Sequence, residues 1–497
     1  MLNSVFVLKK LEISFFRCIF VTKILDRMNL PSTFIERTRQ LLGKEAFKQL
    51  ESALQTEVPV SIRPNLAKCQ RPVSGTCIPW APSGIYLSER PTFTFDPLFH
   101  AGCYYVQEAS SMFVESVLRE YVKEPVVMLD LCAAPGGKST LSRSVLPEGS
   151  LLVANEVMRN RSQILSENLQ KWGNPDVIVT NSDPSDFSSL IHLFDVILTD
   201  VPCSGEGMFR KDEVAVEEWS VENVDLCWKR QRRILADIWP ALKPGGLLIY
   251  STCTFNTEEN EENVAWIAQE LGAEVLPVPA EAVWGITGNL AGKDFPVYRF
   301  LPHRTKGEGL FLAVLRKHEG EIERVTFRQE KKKKGRDTKG KAVQLSVPKD
   351  VKSWLTDSDQ FEWTLQETFV QAFSKRYQEE LALLKQATRV IHAGVTVAEL
   401  KGKDIIPQHS LALSTACSKK SFQQVELSFQ QAVAYLRKEG LILDSSVPRG
   451  YVLVCYQQIP LGFVKNIGNR ANNLYPQEWR IRSGYLPEKV VTVWNEE

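Results

Sequence analysis

Histidine is scarce, at six in 497 residues, and the ten cysteines stand singly, with no CxxC pair among them. A structural zinc site needs four such ligands at short paired spacings, so no metal is expected. Excess charge of one sign is also missing: 60 Lys and Arg meet 59 Asp and Glu, for a net +1. That excludes a uniformly basic nucleic-acid binder but leaves local patches open. No apolar run can span a bilayer, because Lys9, Lys10, Glu12, Arg17 and Lys23 interrupt the most apolar stretch, residues 1–27. Nor does an unbroken apolar segment lead to a small-residue cleavage site, so the thiols are expected free in a reducing cytoplasm. Met28 is the expected natural start, with residues 1–27 an upstream extension. Two phosphate-loop patterns are absent as well. There is no GxGxxG after a strand, and no glycine lies five residues before Gly137 to make GxxxxGK[ST]. These absences disfavour a nicotinamide dehydrogenase and a P-loop enzyme.

What is present is an ordinary globular composition, 43% hydrophobic and 24% charged, over a length that suits roughly three domains. Pro31 to Leu54 has helical apolar spacing, and the turn-rich segment that follows suggests a small mixed unit. From Val126 onward, short apolar runs (VVMLDL, LLVANE, VIVTNSD, FDVILTD, GLLIYSTC) alternate with helical stretches. That alternation predicts βαβ units in a mostly parallel sheet, ending near Lys317. The basic run KKKKGRDTKGK, residues 331–341, reads as a solvated linker. The expected divisions are 28–105, 106–318, a linker at 319–346, 347–424 and 425–497.

VVMLDLCAAPGGKSTLS passes from a strand through small residues and glycines into a helix. Small residues let the backbone approach a ligand, and a helix start offers free N–H groups. Glu156 ends the next strand, placed to accept the two hydroxyls of a ribose. Together they favour an adenosine-containing cofactor. Ligands in such sheets bind beyond the carboxyl ends of the strands, where DVPCSG and STCTF both fall. Asp200, Cys203 and Cys253 are therefore expected to converge beside the cofactor. A thiolate is a good nucleophile at neutral pH, and local chemistry leaves the two cysteines tied for that role.

DLCAAPGGKST, ANE, DVPCSGEGMFRKD and YSTCTFNTEENEENV resemble, in the same order, the motifs of the Sun-type RNA cytosine-5 methyltransferases. SIRPN and FLPHRTKGEGLF fit as well. The tail IPLGFVKNIGNRANNLYPQEWR is similar to the C-terminal module of the RsmF branch, which acts on 16S ribosomal RNA. The resemblance implies an α/β fold: a Rossmann-like class I methyltransferase core with a mostly parallel seven-stranded sheet. A small N-terminal α+β RNA-binding domain and a C-terminal PUA-like domain would flank it. It implies S-adenosyl-L-methionine as cofactor, held by Cys132, Ala133, Ala134, Pro135, Gly136, Gly137 and Lys138. Glu156 would take the ribose, Asp183 would sit near the adenine, and Arg161 and Asp200 would complete the site.

By the same resemblance Cys253 is the nucleophile, Cys203 serves product release and Asp200 faces the base. Arg63, Asn65, Arg210, Lys211, Lys465 and Arg470 are candidate RNA contacts. The implied partner is ribosomal RNA, free or within the small subunit, with the protein a monomer that meets no membrane. The rival readings are the same chemistry on transfer RNA, and a non-catalytic RNA-binding assembly factor.

Overall fold

The computed structural model describes residues 29–321, 347–484 and 490–494, so residues 1–27, expected to be an upstream extension, and the basic run lie outside the described residues. Seven strands form the centre: β1 (Val127–Asp130), β2 (Leu151–Asn155), β3 (Val177–Thr180), β4 (Phe194–Asp200), β5 (Leu242–Thr252), β6 (Ala273–Leu276) and β7 (Leu310–Lys317). Their order is β6-β7-β5-β4-β1-β2-β3. All pairs from β3 to β5 are parallel, and β7 is antiparallel to both neighbours. This is the seven-stranded Rossmann-like sheet expected from the sequence. β1, β2 and β3 are buried along their whole length, which is why they read as unbroken apolar runs.

Successive side chains feed opposite faces. Met128, Leu152, Val179, Leu198 and Ile249 belong to one core, while Leu129, Val153, Ile178, Ile197 and Leu248 belong to the other. β1 has β2 on one side and β4 on the other, so the chain reverses direction of travel at β1. A crevice opens at the carboxyl ends there, and the site occupies it.

Two short strands enlarge the sheet to nine. Tyr298–Phe300 pairs with β7, and Val390–Ala393 pairs antiparallel with β3. The second comes from the segment expected to form a separate intermediate unit. Docked here, it covers an edge that would otherwise leave backbone groups unpaired.

Helices Ser32–Leu42 and Lys44–Ala53 precede a four-stranded sheet that includes Ser61–Pro64 and Ala81–Tyr86. Phe34 seats the first helix edge-on against Phe209 and Trp219, just beyond the DVPCSG loop. The C-terminal sheet carries the hairpin Gly450–Tyr456 and Ile459–Asn466, beside helix Phe429–Leu436. Ser428 and Gln431 close that helix's N-terminus as a capping box. N- and C-terminal units share one apolar core, with Ile62 and Tyr104 from the first and Leu436 and Val454 from the second. Among the described residues no helix is long and apolar enough to cross a membrane.

Two candidate RNA contacts are corrected by this packing. Arg63 is fully buried, lies 4.4 Å over the Trp172 ring, and donates to Gln107 Oε1 at 3.0 Å and Thr140 Oγ1 at 2.6 Å. Burial pushes its guanidinium down to about 9. Asn65, equally buried, donates to the carbonyls of Gly102 and Trp172. Both tie the N-terminal sheet to the core, and neither faces a phosphate.

Candidate active site

β4 and β5 run in parallel with Asp200 opposite Ser251, so the loops leaving them emerge side by side. Cys203 Sγ lies 3.1 Å from Cys253 Sγ, and the Cys253 backbone N–H donates to Cys203 Sγ at 3.3 Å. Asp200 stands next to them, its side chain about one-third exposed. Ser251 Oγ donates to one carboxylate oxygen at 2.8 Å and Lys138 Nζ to the other at 2.7 Å. The expected convergence of Asp200, Cys203 and Cys253 is present.

Lys138 adds something the sequence did not reveal. Expected only as part of a backbone cradle, it sits in the first turn of helix Gly137–Val145 and aims its ammonium across the crevice at Asp200. Burial pulls that ammonium down, but the Asp200 carboxylate outweighs it, and the group stays above its ordinary value. The Cys203 thiol is held well above its usual range, first by its hydrogen bond to Cys253 and then by burial. Cys203 therefore keeps its proton, and the two sulfurs share a hydrogen bond.

Two buried carboxylates hold the thiol loops. Glu259 accepts from the Ser204 N–H at 3.0 Å, Gln231 Nε2 at 2.7 Å and Asn256 Nδ2 at 2.8 Å. Burial raises it to about 7. Glu206 accepts from the N–H groups of Phe255 and Asn256 and from Trp219 Nε1. Each joins the PCSGEG loop to the STCTFN loop. Glu206 lies in the PCSGEG motif and Glu259 in the run NTEENEEN, both quoted above for the resemblance without a role for either carboxylate.

Gly207 makes a tight crossing. Its N–H donates to Cys253 O at 2.8 Å, and an added Cβ would lie 2.7 Å from Gly309 O and 2.9 Å from Cys253 O. Gly207→Ala must therefore displace the backbone that carries Cys253. We expect it to lower kcat by about 100-fold, the scale of an ångström-sized misplacement, with the cofactor Kd unchanged. Steady-state kinetics and equilibrium dialysis check both halves.

Beyond β1 and β2 lies the other half of the crevice. Gly136 has φ 114°, a left-handed conformation suited to glycine, immediately before the helix starts. Arg161 donates to the Ala134 carbonyl at 2.7 Å and lies 3.4 Å from the buried Glu156 carboxylate. Glu156 also caps the Met158 N–H. Asp183 accepts from the Ser185 N–H and hydroxyl, and the backbone bond leads in holding it below the usual carboxylate range. Asp130 is wholly buried and raised to about 7 by that burial, and its Oδ1 has no partner among the described residues.

The remaining candidate RNA contacts separate. Arg210 is a further correction: its side chain is buried, bonded to both Glu308 oxygens and to the Gly307 carbonyl. Lys211 is exposed, 3.9 Å from Glu308. Lys465 is paired with Asp404 at 2.7 Å, and Arg470 is exposed.

Residues 118–316 match the family model for 16S rRNA methyltransferase RsmB/F. Residues 30–109 match the N-terminal domain of 16S rRNA methyltransferase RsmF, and 422–481 the methyltransferase RsmF PUA domain. The ribosomal RNA small subunit methyltransferase F of Salmonella agona is 31% identical over 483 residues, 92% of this chain and 97% of that protein. The chain belongs to the RsmF family of methyltransferases. Its relative of the same name in Erwinia tasmaniensis is 29% identical over 489 residues, 93% of this chain and 98% of that protein. Among solved structures, a methyltransferase homologue from Pyrococcus horikoshii is 29% identical, with a TM-score of 0.51. The match covers 59% of this chain and 98% of that one.

S-adenosylmethionine is the cofactor of RsmF-type methyltransferases, and the crevice suits it. The left-handed Gly136 brings backbone close, and the helix start directs N–H groups at an anionic carboxylate. Glu156 and the orphaned Asp130 Oδ1 leave acceptors for hydroxyl groups in an otherwise buried wall.

Proposed function

We propose that the chain methylates carbon 5 of a cytidine in small-subunit ribosomal RNA, 16S in its relatives, through a covalent bond between Cys253 and the base. The observation that carries this reading is the pair of sulfurs 3.1 Å apart beside Asp200. Methylation of an oxygen or an amine needs no thiol, because the acceptor atom brings its own lone pair. Carbon 5 of cytosine has none and is a poor nucleophile.

Bound S-adenosylmethionine supplies an electrophilic methyl group, with Cys132 to Lys138, Glu156, Arg161 and Asp183 holding it. The Cys253 thiolate adds to carbon 6 of the ring. The new S–C6 bond displaces the electrons of the 5,6 double bond, and carbon 5 becomes nucleophilic. Asp200, placed by Lys138 and Ser251, faces the N3 edge and acts there as the acid, donating a proton to N3 as negative charge develops on it. Once methylated, carbon 5 still carries its hydrogen. A base must take it as a proton, the C–H electrons re-form the double bond, and Cys253 leaves carbon 6 as a thiolate. Cys203 is that base, acting through the minor fraction that has lost its proton to solvent.

The ring must be out of the stack for a thiol to reach carbon 6, so the acceptor is an unpaired or flipped nucleotide. Ribosomal RNA as the substrate is supported by the named activity of relatives that match along nearly the whole chain. Bisulfite sequencing of small-subunit RNA from cells with and without the gene tests the substrate. At least one cytidine should resist conversion only when the gene is present. Identical patterns in the two strains would overturn the assignment.

A further inference from the structure

A second pocket, of about 290 Å³, uses none of the site residues above; Trp80, Tyr86, Val283, Trp284, Arg304 and Lys306 line it. Its distance from the reaction follows from the chain. β7 is antiparallel to β5, with Phe311 opposite Thr252, so the segment entering β7 arrives at the edge where Cys253 sits. Gly309 packs against Gly207, whose N–H is bonded to Cys253 O. Lys306 is three residues before Gly309, a span of at most about 11 Å.

The walls are rigid and aromatic. Trp80 Nε1 donates to the Ala109 carbonyl at 2.8 Å, and Phe300 meets the indole edge-on. Tyr86 donates its hydroxyl to the Lys306 carbonyl, while the Lys306 ammonium lies 4.4 Å over the Tyr86 ring. Those two rings are nearly buried and form the floor; half-buried Trp284 and the 84% exposed Val283 form the mouth. Arg304 is exposed, and its guanidinium has no hydrogen bond or ion pair among the described residues. A pocket of about 320 Å³ between Arg37 and Glu258 lacks this character, since its cation is already paired.

Aromatic faces for a base and unpaired cations for its phosphate are how proteins grip single-stranded nucleic acid. We propose that this pocket holds an unpaired base of the acceptor RNA a short way along the strand from the methylated cytidine, with Arg304 and Lys306 on its backbone. The proposal rests on RNA being the acceptor, and the test separates the two.

The full-length protein is titrated with a fluorescein-labelled single-stranded RNA of about 12 nucleotides, within the range such sites cover. Trp284→Ala should raise the Kd about tenfold, and Trp284→Phe should restore most of it. Arg304→Gln should raise the Kd and flatten the salt dependence by about 0.7 in slope, one phosphate contact on a single strand. For both, kcat at saturating small-subunit RNA and the cofactor Kd should stay at the wild-type values. Arg304→Gln decides the matter even where Trp284→Ala folds poorly. A wild-type protein that fails to methylate small-subunit RNA overturns the function itself. A wild-type protein that methylates it, with RNA affinity unmoved by either substitution, overturns the pocket alone.

Discussion

Cys253→Ala is expected to abolish methyl transfer, with kcat down on the order of 10⁵-fold, the scale of losing a covalent nucleophile. The argument rests on the acceptor atom. Without a bond to carbon 6, carbon 5 stays a weak nucleophile, and no positioning of the methyl donor repairs that. The substitution removes one partly exposed sulfur and leaves the backbone contacts of the loop, including Cys253 O to the Gly207 N–H, in place. Fold and cofactor affinity should therefore survive, since Cys132 to Lys138 and Glu156 are untouched. Incorporation of labelled methyl groups into RNA, read beside equilibrium dialysis of the cofactor, separates the two quantities. Retained turnover would move the nucleophile to Cys203.

The runs that form β1 to β5 and β7, and the convergence of strand ends, were legible because burial writes apolar runs into the chain, whereas β6 is short and partly exposed and the count of seven came from the resemblance. The contact between the two sulfurs was not. It depends on the register between β4 and β5, which brings together residues fifty positions apart, and no local pattern encodes that register. The same limit explains Arg63, Asn65 and Arg210. In sequence each is a polar residue in a turn-like motif, indistinguishable from a phosphate contact. In the fold each is buried against partners far along the chain, as Arg210 is against Glu308. Lys138 was half legible. PGGK marks a helix start, but the direction of its side chain depends on where β4 ends. The strand Val390–Ala393 was assigned with its sequence neighbours, because edge pairing with β3 leaves no signature beyond a few apolar residues.

Cys203→Ala is expected to separate bond formation from bond breaking. The protein should methylate once and then remain attached to its RNA, visible as a slow band on a denaturing gel, with turnover down roughly 10²- to 10⁴-fold. The state of the thiols gives this prediction a pH signature. In the resting site Cys203 is held protonated chiefly by its hydrogen bond to Cys253, with burial adding to it and the charge on Cys253 pushing the same way. When Cys253 is bonded to carbon 6, its sulfur carries no charge, so two of those three influences vanish. The pKa of Cys203 then falls toward its ordinary value at the stage where a base is needed. Burial and the nearby Glu259 still act upward, so most Cys203 remains protonated near neutrality. Release of the adduct should therefore accelerate with rising pH, by about tenfold per unit while the thiol is mostly protonated. In Cys203→Ala that slope should disappear. A steep slope that persists without Cys203 would assign the base to water or to another side chain, with the sulfur at 3.1 Å only a structural neighbour of the nucleophile.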